Sequence, residues 1–223
     1  MSKKSADAAA LFHRIVPLLK VEYRKWRVPI VTAIAERRDP FQVLISTILS
    51  LRTKDETTAT ATHRLFRLAR TPETMAKLPA KRIVRAIYPV GFYHTKARTI
   101  IDICRRLVKE FGSKVPSSLD TLLTFKGVGR KTANLVLTRG FGLPGICVDT
   151  HVHRISNRLG VVKTRDPEET EFALRKVLPK EYWIIYNDLL VAFGQNLCRP
   201  ISPKCSECPI ERYCPKIGVN KSR

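Results

Sequence analysis

Leu122-Leu123-Thr124-Phe125-Lys126-Gly127-Val128-Gly129-Arg130-Lys131-Thr132-Ala133-Asn134 places two glycines one residue apart between two helical patterns. Glycine permits backbone angles closed to other residues and leaves no side chain between its amide and a ligand. Leu122, Leu123 and Phe125 precede the pair, Val128 sits between them, and Ala133, Val136 and Leu137 follow at helical spacing, the pattern of a helix-hairpin-helix element. A second helix beginning near Gly129 offers unpaired N–H groups and a positive dipole end to an anion, with Arg130 and Lys131 adding charge beside it. A DNA phosphate fits that description. The bland alternative is a tight turn in which Val128 plugs the core and the lysines are merely solvated. Gly-x-Gly alone does not separate the two readings, but the flanking order favours phosphate.

The rest of the chain points the same way. Its 223 residues carry 41 Lys+Arg against 19 Asp+Glu, a formal charge of +22, with 44% hydrophobic residues. That is too apolar for a disordered basic tail, and the positive excess on a folded chain asks for a polyanion. A membrane surface satisfies charge alone, yet no run reaches the roughly 18 apolar residues of a spanning helix. The first twenty residues show no apolar core followed by a small-residue cleavage site, and Pro17 interrupts their best apolar run. A cytoplasmic, nucleoid-associated location without a secretion signal is expected.

Strand-like alternation is almost absent. Helix starts are read at Asp55, Thr71-Pro72-Glu73, Ser117 and Asp166-Pro167-Glu168, and a stop at Gly112 after a stretch whose Ile100, Ile101, Ile103, Cys104, Leu107 and Phe111 share one side. The fold class is all-α, about ten short helices, with a candidate domain boundary in the glycine-rich stretch from Gly140 to Gly145.

Four of the six cysteines fall within the last 26 residues as Cys198-x6-Cys205-x2-Cys208-x5-Cys214. The surrounding residues are too polar to build a core, so a metal site with four thiolate ligands is indicated. Tetrahedral sulfur suits either zinc or an iron–sulfur cluster, and the ligand set does not choose. Cys104 and Cys147 read as buried apolar residues.

Eighteen residues beyond Lys131 stands Asp149, in Val148-Asp149-Thr150-His151-Val152-His153-Arg154. By itself it is a good helix N-cap. Taken together, GVGRKTAN, the linking FGLPG, VDTHVHR and the cysteine spacing resemble the endonuclease III family of base-excision DNA glycosylases over nearly the whole chain. The resemblance implies two helical domains flanking a DNA cleft: residues 33–143 as a six-helix domain with the hairpin, and residues 1–32 plus 144–223 as the cluster domain. It implies a monomeric enzyme on double-stranded DNA that removes oxidised pyrimidines and cleaves the abasic site. Lys131, at a helix start among cations that favour a neutral amine, would be the nucleophile that displaces the base and forms a Schiff base. Asp149 would help activate it and stabilise the positive sugar. Relatives that only remove a base differ at the position matching Lys131. The cysteine spacing matches the family's [4Fe-4S] loop, whose Arg199 and Lys204 would reach phosphates. Gly127, Gly129, Arg130 and His151 complete the expected DNA surface.

Three positions depart from the family pattern. Arg52 stands where many relatives carry a glutamine that fills the gap left by the flipped base, so damage preference does not carry over there. Phe92 replaces a leucine wedge; an aromatic can still part stacked bases, or it is a core residue. Lys126 replaces the proline that commonly opens the hairpin, exchanging rigidity for charge.

Overall fold

The computed structural model describes residues 3–26 and 39–223, and every regular element among them is helical. The chain divides into two compact units, Ile30–Leu143 and Met1–Pro29 with Pro144–Arg223. The boundary expected near residue 33 lies outside the described residues.

In the first unit seven α-helices are described where six were expected: α2 (Pro40–Ser50), α3 (Asp55–Leu68), α4 (Pro72–Ala76), α5 (Ala80–Ile87), α6 (Tyr93–Glu110), α7 (Leu119–Leu123) and α8 (Arg130–Leu135). α1 (Lys3–Tyr23) belongs to the other unit. α2 starts at Asp39, whose carboxylate accepts from the amides of Phe41 and Gln42, and its apolar run is buried from Val43 to Leu49. α4 carries a capping box between Thr71 and Thr74. Two starts differ by a residue from the sequence reading. Asp55 is the first residue of α3 rather than its cap, where its charge still opposes the positive dipole end, and Ser118, not Ser117, caps α7 through the Thr121 amide. α6 ends at Glu110, followed by Gly112 at φ +54°. Its Ile100, Ile101, Ile103, Cys104 and Leu107 are buried with Leu44, Ile48, Leu65, Met75, Phe125 and Val136. Each such side chain contributes about 1.5–3 kcal/mol on burial.

α8 does not continue as an α-helix. It passes at Val136 into a π turn, Val136–Gly140, which packs on α2. Gly140 is required there, since a Cβ would lie 2.7 Å from the Pro40 Cα.

The second unit holds α1, α9 (Thr150–Arg158), α10 (Pro167–Val177) and α11 (Trp183–Asn196). α10 starts at the Asp166 cap, which accepts from the Glu169 amide. Pro17 does not interrupt α1. Its lost hydrogen bond is tolerated because Phe12, Ile15, Val16 and Leu19 are fully or almost fully buried and hold the helix against α10 and α11. Phe12 meets Tyr186 edge-on at 5.6 Å, and the Tyr186 hydroxyl pairs with the Ser156 hydroxyl at 3.1 Å. After Cys198 the chain has only two short 3₁₀ turns, Cys205–Glu207 and Glu211–Tyr213.

Gly140→Ala should therefore lower thermal stability by about 1–3 kcal/mol through overpacking against α2. Thermal denaturation checks this, and an unchanged Tm would contradict the close approach.

Candidate functional site

The hairpin is built from α7, the turn at Phe125–Gly129 and α8. Gly127 lies at φ +84°, and a Cβ there would come 2.8 Å from Cγ2 of Thr99 on α6. Gly127, Gly129 and Lys126 are exposed while Val128 is buried, its amide donating to the Phe125 carbonyl at 3.0 Å. Val128 fills the core, as the tight-turn reading expects, and the glycines face outward. Gly129 is the N-cap of α8 in extended backbone with no side chain to accept from the first turn. Lys131 is the second residue of α8 and half-buried, next to half-buried Arg130. Arg106, which the sequence did not single out, braces this turn. Its guanidinium stacks over the Phe125 ring at 4.4 Å and donates to the Thr124 carbonyl at 2.9 Å.

Arg52 and Phe92 belong to the same unit, on the loops after α2 and before α6. Both are in the left-handed region, at φ +52° and +57°, and the Arg52 guanidinium lies 5.7 Å from the centre of the Phe92 ring. Phe92 is 62% exposed. The core alternative for it is overturned.

In the other unit Asp149 is the N-cap of α9. Its Oδ1 accepts from the amides of His151 and Val152, each at 2.9 Å, and the residue is 9% exposed. Half-buried His151 is close-packed against α11, where a Cβ on Gly194 would sit 2.3 Å from its Nδ1. The same helix holds the cysteine loop. Arg154 donates to the Cys198 carbonyl at 2.8 Å. Arg158 donates to the carbonyls of Arg199 at 2.6 Å and Pro200 at 2.7 Å and to the Cys198 sulfur at 3.4 Å. The sequence assigned neither arginine to the cysteine loop; Arg154 stood only as the end of the VDTHVHR motif. Of the loop's expected phosphate contacts, Arg199 is exposed, while Lys204 is half-buried and paired with Glu207 at 3.1 Å.

Cys198, Cys205, Cys208 and Cys214 all line one pocket, walled on its apolar side by Ile155, Leu159, Phe193, Leu197 and Ile210. Burial raises the Cys208 thiol to about 11, reinforced by the other three cysteines. Among the described residues no group of three or more His, Cys, Asp and Glu is arranged to hold a metal ion. Cys104 and Cys147 are buried as expected, and burial pushes Cys104 up to about 12. No described helix is long and apolar enough to cross a membrane.

Residues 45–180 match the HhH-GPD superfamily of base excision DNA repair proteins. The chain is 52% identical to endonuclease III of Thermotoga maritima over 79% of its length and 83% of that protein. It is 47% identical to the chloroplastic endonuclease III homolog 1 of Arabidopsis thaliana, of which it spans 49%. The chain belongs to the endonuclease III family. Among solved structures, a non-covalent endonuclease III–DNA complex superposes with TM-score 0.82 at 34% identity, covering 97% of each chain. A trapped endonuclease III–DNA covalent intermediate superposes with TM-score 0.75 at 38% identity, over 80% of this chain and 84% of that one.

Gly127→Ala should weaken binding to damaged and undamaged duplex alike, because the strained turn and the Thr99 clash disturb a sequence-independent phosphate contact. Gel-shift titrations on both duplexes test this. A change in lesion preference alone would refute the phosphate role.

Proposed function

We propose that Lys131 and Asp149 carry out the chemistry of this base excision repair enzyme on one extruded nucleotide of double-stranded DNA. The protein is a DNA glycosylase and AP lyase. The observation that carries the residue assignment is the pair of helix starts, one with Lys131 directly behind an exposed Gly-x-Gly turn and one capped by a buried aspartate.

The hairpin amides and Arg130 hold the strand by its phosphates. Arg52 and Phe92, exposed on adjoining loops, enter the duplex where the damaged base leaves it; His151 and Arg199 add contacts from the second unit. The base is an oxidised pyrimidine. The amine of Lys131 attacks C1′, and the C1′–N bond to the base breaks with its electron pair going to the departing base. The sugar ring then opens to give the Schiff base. Loss of a C2′ proton then expels the 3′ phosphate by β-elimination, and water releases the enzyme. Asp149, held rigid by two amide donors, supplies negative charge as positive charge develops on the sugar. The location that suits this work is the cytoplasmic nucleoid.

The four cysteines fit a [4Fe-4S] cluster better than zinc. They share one pocket, and their C-x6-C-x2-C-x5-C spacing is the one the family uses for that cluster. When bound, the cluster supplies cross-linking that holds the loop bearing Arg199. Arg158 contributes a positive charge beside Cys198 and anchors the backbone on either side of it. Stoichiometric zinc without iron in the anaerobically purified protein would overturn this assignment.

Borohydride should trap a covalent complex with abasic DNA, and Lys131→Gln should abolish trapping while keeping much of the binding. Asp149→Asn should slow base release by an amount on the order of 3 kcal/mol, with a smaller effect on the lyase step. Trapping at the normal rate by Lys131→Gln would show that another amine is the nucleophile.

A further inference from the structure

Lys96 lies in the first turn of α6 and is 7% exposed. Its ammonium donates to the Leu49 carbonyl at 2.8 Å, the Leu51 carbonyl at 2.5 Å and the Thr53 hydroxyl at 3.2 Å. Three protons meet three acceptors, all at the C-terminal end of α2 or on the loop after it, where a cation also complements the dipole. Burial lowers its pKa to about 8. A buried cation held by uncharged acceptors is a costly way to fill space, and an apolar residue would pack as well. What Lys96 adds is a tie between two loops. Thr53 extends the tie, its hydroxyl also accepting from the Gly91 amide at 3.1 Å. The loops touch closely enough that a Cβ on Gly91 would lie 2.6 Å from the Arg52 carbonyl oxygen. Arg52 and Phe92, both exposed and left-handed, stand at the tips of these tied loops.

We propose that Lys96 is a positioning residue that locks the Arg52 and Phe92 loops into one rigid two-pronged wedge on which base extrusion depends. The inference rests on the reading of Arg52 and Phe92 as the residues that enter the duplex. Three substitutions cut the tie by different routes: Lys96→Met removes the donor, Thr53→Val removes the shared hydroxyl, and Gly91→Ala forces the loops apart. Each should slow single-turnover release of a paired damaged base by roughly tenfold or more, while cleavage of a preformed abasic site changes by less than about threefold, because only the paired base must be unstacked. The fluorescence rise of 2-aminopurine beside the lesion should slow in parallel. Because removing a buried ammonium also disturbs folding, Thr53→Val and Gly91→Ala decide. Equal losses on both substrates with those two variants would make Lys96 a packing residue and overturn the proposal. Absence of borohydride trapping in the unaltered protein would instead undo the functional reading.

A separate observation concerns α3 and α5. Arg64 and Arg67 on one helix and Arg82 and Arg85 on the other line an open groove of about 440 Å³, together with Leu68 and Ala86. Arg64 donates to the Tyr88 carbonyl and so ties α3 to the segment that leads to Phe92. Arg106 and Arg175, by contrast, are paired with the carboxylates of Glu110 and Glu171. Arg67, Arg82 and Arg85 form no ion pair among the described residues. Guanidiniums converging on one concavity repel unless a polyanion lies between them, and two rows of forked donors suit a run of phosphates.

We infer that this groove takes the phosphodiester backbone of duplex flanking the lesion, extending the footprint beyond the wedge. The probe is the same lesion centred in duplexes of about 12 and about 40 base pairs, titrated over a range of salt. Arg67→Gln/Arg82→Gln/Arg85→Gln should reduce the salt slope on the long duplex by about 2–3 and leave the short duplex unchanged. Equal slopes for variant and unaltered protein on the long duplex would overturn the inference and leave an acidic protein segment as the ligand to seek.

Discussion

A helix start exposes amides that the helix itself cannot pair, and this protein answers that constraint in two opposite ways. At α9 the carboxylate of Asp149 accepts from two of them. At α8 the capping position is Gly129, which has no side chain to offer. The first helix is closed by its own aspartate, which becomes a rigid buried acid. In the proposed mechanism the second receives a DNA phosphate, and Lys131 rides on its first turn.

Not all of the +22 charge is aimed at DNA. Arg154, Arg158 and Lys96 turn inward, and their recorded partners are largely backbone carbonyls. Backbone acceptors pin chain segments that have no regular structure of their own. Arg158 does this for the stretch from Cys198 to Pro200, and Lys96 for the loop that carries Arg52. Cations of this kind shape the surface on which the exposed ones act.

The cysteine loop shows the same economy of core. Beyond Cys198 little apolar mass is available, with Ile210 almost wholly buried but Ile201 and Ile217 exposed. The loop leans on α9 through arginine hydrogen bonds and on α11 through Phe193 and Leu197 at the wall of the cysteine pocket. A bound cluster would complete a scaffold that α9 has already begun, and α9 is the helix that Asp149 caps.

The sequence by itself determined the helical class, the hairpin, the Asp149 cap and the thiolate set, because each depends on neighbours close in the chain: Gly-x-Gly between apolar helical patterns, an acid before a helix, four cysteines within 17 residues. Its errors were of the same local kind, one residue at Asp55, which follows a Lys54 cap that makes no side-chain hydrogen bond, and one at Ser117, beside the Ser118 that caps instead. Tertiary structure alone decided whether Phe92 is core or exposed, since an aromatic before a helix serves either way. It also decided that Arg158 belongs to the cysteine loop and that Lys96 is buried. These depend on contacts between residues as much as 47 positions apart, and a long cationic side chain has the same local signature whether it ends in water or on a carbonyl inside the protein.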